Sequence, residues 1–463
     1  MTQDKHANRC SPDVRPGRLD AATIEKNFGD IRPPLSPAAA LVEADRCYFC
    51  HDAPCTNACP TGIDVPAFIQ KIRSHNLPGS AHTILRENIL GGMCARVCPT
   101  EVLCEEACVR NGSEGGPVRI GLLQRYATDP VYEQGLPVFE RAPETGKRVA
   151  VVGGGPAGLS AAHRLAMLGH AVEMFCRDAK LGGLNEYGIA AYKTVNDFAQ
   201  REVDFILGIG GIDVRTGMSL GQDVSLAELQ QRFDAVLLAV GLGDTNELGV
   251  PGEDLDGVQN AVDYIAQLRQ AGDKSELPVG RRVVVIGGGM TAIDIAVQNR
   301  RLGAERVDIV YRRGPDQMSA SGHEQELAKS EGIVLHHWAR PVAFRGDNWL
   351  REVEFERTRQ EADGRLSGTG ETWTLDADVV FRAVGQTLSD DDGTSAGSML
   401  RAGGKIRVDA RRRTSIPGVW AAGDCVAGHD DLTVTAVQDG KLAAIDIDRW
   451  LRANEEDADP WQT

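Results

Sequence analysis

The sequence contains no long hydrophobic run. Its longest apolar stretches are strand-length, such as VVVIGGGM from Val283, and none approaches the ~18 apolar residues of a membrane span. The N-terminal segment MTQDKHANRCSPDVRPGRLD is polar and lacks the apolar region of a secretory signal. We therefore expect no membrane span and a cytoplasmic location.

The sequence also has no excess of basic residues over acidic ones. The 463 residues carry a formal net charge of −16, whereas a protein that binds a phosphate backbone concentrates Lys and Arg. This balance argues against nucleic acid as the main partner. The chain is 42% hydrophobic and 25% charged, which suits folded cores, and its length corresponds to about three domains.

The cysteines are not spread along the chain, as they would be if disulfides linked distant parts of a large fold. Eight of the eleven lie between Cys47 and Cys108, and the others are Cys10, Cys176 and Cys425. Such crowding indicates a local inorganic site. Stable disulfides are in addition rare in the cytoplasm.

The spacing within this block distinguishes between kinds of site. The cysteines read C-x2-C-x4-C-x3-C from Cys47 and C-x3-C-x5-C-x3-C from Cys94, and Pro follows Cys59 and Cys98. A zinc ribbon would show two C-x2-C knuckles, and only one occurs here. Runs that close in Cys-Pro are typical of bacterial ferredoxins, in which the last Cys often serves the other cluster. We favour two [4Fe–4S] clusters, with zinc or disulfides as the alternatives.

A glycine-rich turn follows the strand-like run 149–152. It reads G-x-G-x-x-G, with Gly153, Gly155, Ala157 and Gly158, and a helical pattern comes next. In this context the glycines allow a tight turn, close approach of a pyrophosphate, and close packing of helix and strand. The phosphates then lie at the helix N-terminus, where free N–H groups favour anions. The turn predicts a dinucleotide site.

A distant segment, TSIPGVWAAGDCV (414–426), resembles the second flavin fingerprint of two-dinucleotide-domain flavoproteins. In that family its Asp, here Asp424, binds the ribityl chain, which indicates that the first site holds FAD. One position departs from the pattern. Cys176 stands where an acid normally binds the ribose, and Glu173, Asp178, a backbone group or a water are the candidates to replace it.

A second copy of the motif begins at Gly287 and continues through Gly289 and Ala292, between a strand pattern and a helix pattern. Two such sites in one chain suggest FAD together with a nicotinamide cofactor. The next strand ends in Arg312 and Arg313 rather than an acid. Their charge alone favours NADPH, unless they form a solvated strand end.

These patterns predict an α/β protein. We expect an N-terminal α-helical iron–sulfur domain and two Rossmann-like dinucleotide-binding domains, the FAD domain being discontinuous. Residues 1–40 are interpreted as an extended lead-in. The predicted domains are residues 1–140 (two clusters), residues 141–248 with 389–463 (FAD), and residues 249–388 (NAD(P)).

Three segments give the chain its resemblance to a known family: CARVCPTEVLCEEAC, GPVRIGLLQRYATD and GGLNEYGIAAYK. The whole arrangement resembles the glutamate synthase small subunit and the N-terminal half of dihydropyrimidine dehydrogenase. The five residues between Cys98 and Cys104 favour the second. The chain is identified as a member of the bacterial NAD-dependent dihydropyrimidine dehydrogenase flavin and iron–sulfur subunits.

The resemblance implies roles for individual residues. One cluster would be bound by Cys47, Cys50, Cys55 and Cys108. The other would be bound by Cys59, Cys98, Cys104 and Gln124, although spacing alone would favour Cys94 over Gln124. Gly183, Leu184 and Lys193 would lie near the FAD, and Thr433 near the flavin–nicotinamide contact. NADPH-using relatives carry a second Arg where this chain has Ser319, which favours NAD(H), with NADP(H) as the alternative.

The function implied is that of an electron-input subunit, with no residue acting as a catalytic acid or base. NADH would reduce FAD, and electrons would pass singly through the clusters to a partner that contains FMN and iron–sulfur clusters and reduces uracil or thymine. Related enzymes suggest a heterotetramer. A barrel of ~250 residues finds no room after the FAD motif, so we expect the partner to supply the pyrimidine chemistry. The alternatives are a glutamate synthase small subunit, a stand-alone or bifurcating ferredoxin oxidoreductase, and a zinc-stabilised nucleotide-sensing protein.

Overall fold

The computed structural model describes residues 13–113, 115–389, 399–428 and 430–453. The predicted domains also include residues 1–12, 390–398 and 454–463, which lie outside the described ranges. None of the described helices is both long and apolar enough to cross a membrane.

The described α-helices alternate with strands after the first third of the chain. They are α1 (Ala21–Asn27), α2 (Pro37–Asp45), α3 (Pro54–Asn57), α4 (Val65–Arg73), α5 (Leu77–Glu87), α6 (Gly91–Val97), α7 (Ile120–Gln134), α8 (Pro156–Met167), α9 (Leu184–Tyr187), α10 (Phe198–Leu207), α11 (Leu226–Arg232), α12 (Ala261–Gln270), α13 (Met290–Arg301), α14 (Gly322–Ser330) and α15 (Thr433–Arg452).

The described strands are short in the parallel sheets and longer in one antiparallel sheet. They are β1 (Arg148–Val152), β2 (Ala171–Cys176), β3 (Ile212–Thr216), β4 (Ala235–Leu238), β5 (Asp244–Thr245), β6 (Val258–Asn260), β7 (Arg282–Ile286), β8 (Arg306–Val310), β9 (Val334–His336), β10 (Ala339–Gly346), β11 (Leu350–Gln360), β12 (Leu366–Asp376), β13 (Val379–Arg382), β14 (Gln386–Thr387), β15 (Arg401–Ala402), β16 (Lys405–Ile406) and β17 (Val419–Ala421).

The chain divides into two compact units. The described part of one consists of residues 13–31, 187–195 and 245–386, and that of the other consists of residues 32–113, 115–186, 196–244, 387–389, 399–428 and 430–453. We call them the second-loop unit and the cysteine unit, after the second glycine loop and the cysteine block that they contain.

The cysteine unit combines a helical domain with a parallel sheet. The sheet has the order β17-β4-β1-β2-β3 and all of its strands are parallel. In β1 the four residues after Arg148 are buried, as expected of a parallel strand covered on both faces. Helices α8, α10 and α15 pack into the core on one side, and α11 packs into the core on the other.

Helices α2, α4 and α5 of the helical domain begin with the same local chemistry. Ser36, Asp64 and Asn76 accept hydrogen bonds from the backbone N–H three residues on, at 3.3, 3.0 and 3.0 Å. A Pro follows each cap within two residues, where the missing N–H costs nothing. Val65, Phe68, Ile69 and Ile72 of α4 are buried. This helix therefore faces a core against which five of the cysteines pack.

The second-loop unit repeats the doubly wound pattern. Its parallel sheet has the order β6-β13-β7-β8-β9, and a separate antiparallel sheet is formed by β10, β11 and β12. The predicted α/β class, with a helical N-terminal domain and two Rossmann-like modules, is confirmed.

The predicted extended lead-in is wrong for residues 21–27, which form α1. Asp20 caps this helix by accepting a hydrogen bond from Thr23 N at 2.9 Å. Ile24 and Phe28 lie four residues apart on one face and are buried in the core of the second-loop unit. Their isolated apolar pattern was too weak to indicate a helix before that core was known.

Candidate functional site

The first glycine loop joins β1 to α8 in a geometry that only glycine permits. Gly153 has φ +114°, and a Cβ there would lie 2.0 Å from the Ala239 carbonyl oxygen. A Cβ on Gly158 would lie 2.0 Å from the Gly153 carbonyl oxygen. The N-cap of α8 is Gly155, so no side chain covers the first turn of this helix. The loop therefore offers its backbone N–H groups to a pyrophosphate, as FAD requires.

A second backbone segment lies against this loop. Gly182 N donates a hydrogen bond to the Gly154 carbonyl at 2.7 Å. A Cβ on Gly183 would lie 2.8 Å from the Cα of Gly155, and the next residue, Leu184, is 40% exposed. The structure thus brings Gly183 and Leu184, both predicted near the FAD, to the phosphate loop.

Asp424 follows β17 and lies beside the start of α8. A Cβ on the preceding Gly423 would lie 2.9 Å from the Ala157 Cβ. Burial, and secondarily the neighbouring Asp431, raise the pKa of Asp424 to about 6, while Lys405 opposes the shift. A half-buried carboxyl next to the phosphate loop suits a hydrogen bond to a sugar-like hydroxyl chain, and this fits the predicted FAD role.

Helix α15 contributes a residue that the sequence interpretation missed. Asp439 accepts a hydrogen bond from Gly423 N at 3.2 Å and forms an ion pair with Arg412 at 2.8 Å. It therefore holds the turn that presents Asp424. The sequence shows an acid at this position, within TAVQDGKLAA (435–444), but it does not show which residues this acid contacts. Thr433 begins α15, and its hydroxyl donates to Asn185 Oδ1 at 2.8 Å.

Cys176 lies where the ribose-binding acid is expected. Its sulfur would be 3.0 Å from a Cβ on Gly154. Glu173 forms ion pairs with Arg148, Arg215 and Arg232 at 3.6, 3.3 and 3.7 Å, and Asp178 forms one with Arg177 at 3.7 Å. Both acids therefore stay candidates for this role.

The second glycine loop has the same construction. Gly287 has φ +151°, and a Cβ there would lie 2.2 Å from the Ala383 carbonyl oxygen. Gly289 is the N-cap of α13 without a side-chain cap bond, and Ala292 is buried in the first turn. Ser319 Oγ would be 3.2 Å from a Cβ on Gly289. The loop fits a nicotinamide dinucleotide, and Ser319 lies at its edge.

Arg312 and Arg313 follow β8. Arg312 is exposed and Arg313 is half-buried. The ring of Tyr311, just before them, would be 2.4 Å from a Cβ on Gly288. The two Arg thus begin beside the glycine loop, on the side where a dinucleotide ribose binds in this fold.

Lys193 belongs to the second-loop unit. Its ammonium group is 2.7 Å from Asp294 Oδ1 and 2.8 Å from Glu324 Oε1. Burial would lower its pKa, but the two carboxylates outweigh burial and raise the pKa of Lys193. The structure therefore gives this Lys carboxylate partners on α13 and α14, and its predicted role near the FAD stays a prediction.

Four predicted ligands form one set, which we call the Cys47 group: Cys47, Cys50, Cys55 and Cys108. Burial, followed by the nearby thiols of Cys108 and Cys50, raises the pKa of Cys47. Burial also raises the pKa of Cys55 to about 11, with Cys108 and Cys47 among its neighbours. All four cysteines are free thiols of intermediate exposure.

The remaining predicted cysteine ligands form the Cys59 group: Cys59, Cys98 and Cys104. A hydrogen bond with the Cys94 side chain, together with burial, raises the pKa of Cys98 well above its usual value, and Cys104 and Cys59 add to the shift. Burial is the main cause that raises the pKa of Cys104, followed by Glu105, Cys59 and Cys55. Cys104 therefore also interacts with a member of the Cys47 group.

Gln124 and Cys94 both lie near the Cys59 group. Gln124 is 8% exposed, and its Nε2 donates to the Gly91 carbonyl at 2.7 Å. Gly91 begins α6, the helix that carries Cys94, and Cys94 is buried. The structure thus keeps both candidates for the fourth ligand close to the group.

All seven members of the two groups are free Cys thiols, which as thiolates are the ligands that iron–sulfur clusters take. Among the described residues, no three His, Cys, Asp or Glu side chains form a group that could hold a single metal ion. The pKa is raised for four of these thiols, by burial for Cys47, Cys55 and Cys104 and by a hydrogen bond with Cys94 followed by burial for Cys98, whereas bound iron would favour the thiolates.

Two family models match the chain. The pyridine nucleotide-disulphide oxidoreductase model matches residues 147–440. The model described as dihydropyrimidine dehydrogenase domain II, 4Fe–4S cluster, matches residues 24–136. The first covers both glycine loops, and the second covers every cysteine of the two groups.

Curated proteins resemble the chain over nearly its whole length. The NAD-dependent dihydropyrimidine dehydrogenase subunit PreT of Escherichia coli O157:H7 is 35% identical over 428 residues, covering 92% of this chain and 98% of the relative. The glutamate synthase [NADPH] small chain of Escherichia coli K12 is 33% identical over 465 residues, covering 96% and 97%.

A solved structure, Mycobacterium tuberculosis FprA in complex with NADPH, shares the fold. It has a TM-score of 0.57 and 22% identity, and the match covers 66% of this chain and 84% of that one. At this identity the likeness supports the architecture alone.

Proposed function

This chain belongs to the pyridine nucleotide-disulphide oxidoreductase family and carries a dihydropyrimidine dehydrogenase-type 4Fe–4S domain, and on that premise we propose that it is the electron-input subunit of an NAD-dependent dihydropyrimidine dehydrogenase. It is an oxidoreductase, and the predicted FAD, nicotinamide and [4Fe–4S] cofactors are confirmed. The number of clusters stays a prediction.

One observation carries the proposal: the eight cysteines from Cys47 to Cys108 are free thiols and lie within the same unit as the first glycine loop. When bound, FAD accepts a hydride from a nicotinamide and releases electrons singly, and iron–sulfur clusters can carry single electrons to an acceptor. The residues of the chain itself bind and orient these cofactors. Gly153, Gly155 and Gly158 admit the FAD pyrophosphate, Asp424 holds the flavin side chain, and Gly287 admits the nicotinamide dinucleotide.

We assign the Cys47 group to one cluster, and the Cys59 group with Gln124 to the other. The Cys94 and Cys98 side chains are close enough to hydrogen bond, whereas two ligands of different irons in one cubane must keep their sulfurs apart. This supports Gln124 as the fourth ligand and Cys94 as a neighbour.

The proposed partner is a catalytic subunit with FMN and iron–sulfur clusters that reduces uracil or thymine, in a heterotetramer. Support comes from the name of the relative, which is a subunit of an NAD-dependent dihydropyrimidine dehydrogenase. A cytoplasmic location is part of the proposal. The ten described cysteines are all free thiols, and an oxidising compartment favours disulfides.

The isolated chain is expected to reduce an artificial dye with NADH but to leave uracil unchanged. Addition of the FMN-containing partner is expected to start NADH-dependent uracil reduction, measured as loss of uracil absorbance. Uracil turnover by the isolated chain, or none with the partner present, would refute the subunit assignment.

The second candidate is a glutamate synthase small subunit, favoured by the 33% identity to the Escherichia coli chain and by Arg312 and Arg313. Co-purification with a large amidotransferase chain, together with a preference for NADPH, would establish it in place of the first.

The substitution Ser319→Arg tests the proposed preference for NADH. Ser319 lies at the edge of the second loop, where an added guanidinium can bind the 2′-phosphate of NADPH. We expect NADH to be preferred by the wild type, and the variant to raise kcat/KM for NADPH by about tenfold, the effect of one charge-assisted hydrogen bond. Ser330→Arg, at the exposed end of α14, is the matched control. A wild type that already prefers NADPH contradicts the assignment.

A further inference from the structure

Lys441 is a buried cation within the cysteine unit. It lies on α15 and is 7% exposed. The preceding residue, Gly440, packs against α8 so closely that a Cβ there would lie 2.0 Å from the Ala157 carbonyl oxygen. Lys441 therefore begins next to the helix that carries the FAD phosphate loop.

The side chain of Lys441 reaches into the helical domain. Its Nζ donates to the Thr61 carbonyl at 2.9 Å, to the Glu87 carbonyl at 3.0 Å and to Glu87 Oε2 at 3.1 Å. Removing an ammonium group from water is unfavourable unless acceptors replace the lost hydration. Here three acceptors do so, and all three come from the cysteine-bearing part of the chain.

Thr61, whose carbonyl is one of these acceptors, also contacts a proposed cluster ligand through its hydroxyl. The Thr61 hydroxyl and the Cys59 sulfur are 3.3 Å apart, within hydrogen-bonding distance. Burial lowers the pKa of Lys441, whereas Glu87 and the Cys59 thiol raise it, so the ammonium group interacts electrostatically with Cys59. Among the Cys59 and Cys47 groups, Cys59 is the cysteine for which this interaction appears.

We propose that Lys441 is a positioning residue that fixes the Cys59 loop against α15 and raises the reduction potential of the cluster that Cys59 binds. The inference rests on the proposed iron–sulfur function. A positive charge near a cluster favours its reduced, more negative form, and charge and hydrogen bonding around the sulfurs are established determinants of cluster potential.

The test is an anaerobic redox titration of the whole purified protein, followed by EPR. At the potential where the wild-type cluster is half reduced, Lys441→Met is expected to lower the ratio of reduced to oxidised cluster about tenfold, which is 59 mV for a one-electron couple. Lys441→Gln should behave like Lys441→Met, and Lys441→Arg should stay near the wild type.

Two further variants separate charge from packing. Glu87→Gln removes the anion beside Lys441 and is expected to shift the ratio in the opposite direction, toward the reduced form. Arg164→Met is the comparison variant. Arg164 also links α8 to the helical domain, by a 2.6 Å bond to the Arg86 carbonyl, and its electrostatic neighbours are Glu87, Arg86 and Lys441 rather than a cysteine. Its substitution is therefore expected to shift the ratio less than Lys441→Met does.

An unchanged ratio in Lys441→Met, a shift of the same sign in Glu87→Gln, or an equal shift in Arg164→Met would overturn the proposal. If Lys441→Met does not retain its iron, Glu87→Gln decides alone: a rise supports the proposal, and no rise overturns it. The proposed function fails by a different result, which is wild-type protein without iron.

Discussion

Replacing Cys98 by Ala is expected to lower the iron content of the purified protein from about eight to about four per chain. Cys98 belongs to the Cys59 group and has the thiols of Cys59 and Cys104 as neighbours. A cubane that loses one ligand of this group is expected to be lost from the chain, whereas the Cys47 group keeps its four thiols. Iron analysis and EPR on anaerobically purified protein measure the effect.

Cys94→Ala is the matched control for Cys98→Ala, because the two residues are four apart and their side chains touch. We expect Cys94→Ala to retain about eight irons, and Gln124→Ala to lose or alter one cluster. Full iron content in Cys98→Ala would contradict the proposed ligand set. The set would also be contradicted if Cys94→Ala lost iron and Gln124→Ala did not.

The second large effect is expected from Gly153→Ala, which should yield protein with less than about a tenth of the wild-type FAD. The residue has φ +114°, and an added Cβ would meet the Ala239 carbonyl at 2.0 Å. The positive φ makes an Ala at position 153 strained, and its Cβ would clash with the backbone of Ala239. Backbone cannot move aside as a flexible side chain would. Flavin released on denaturation, measured by fluorescence, reports the result.

Two other glycines act as controls for Gly153→Ala. Gly322 begins α14, and nothing lies within 4 Å of a Cβ there, so Gly322→Ala should keep its FAD. Gly287→Ala should also keep FAD but lose reduction by NADH, because its clash with Ala383 O lies in the second loop. Equal FAD loss in Gly287→Ala and Gly153→Ala would contradict the assignment of one cofactor to each loop.

Much of the fold could be predicted because its signals are local. A glycine triplet between a buried strand and a helix has few structural solutions, and both loops lie where that pattern placed them, before α8 and α13. The spacing of the cysteines is also a local signal, and it indicated iron–sulfur clusters. The family resemblance drawn from three short segments is confirmed by relatives that match 92% of the chain.

Other features depend on contacts that no local pattern encodes. Residues 187–195 follow the FAD loop in sequence but cluster with the second-loop unit, where Lys193 finds Asp294 and Glu324. The three Arg partners of Glu173 could not be predicted, because they lie on other parts of the chain. The burial of Lys441 could not be predicted either, since its acceptors lie more than 350 positions away in the sequence.

The proposed electron transfer requires that this chain hold both a flavin and iron–sulfur clusters. The most direct test is metal and flavin analysis, with a UV–visible spectrum, of anaerobically purified wild-type protein. We expect flavin bands on a broad shoulder at ~400 nm, about one FAD and about eight irons per chain. Zinc without iron, or a colourless protein, would contradict this expectation, and the electron-transfer function would fall with it.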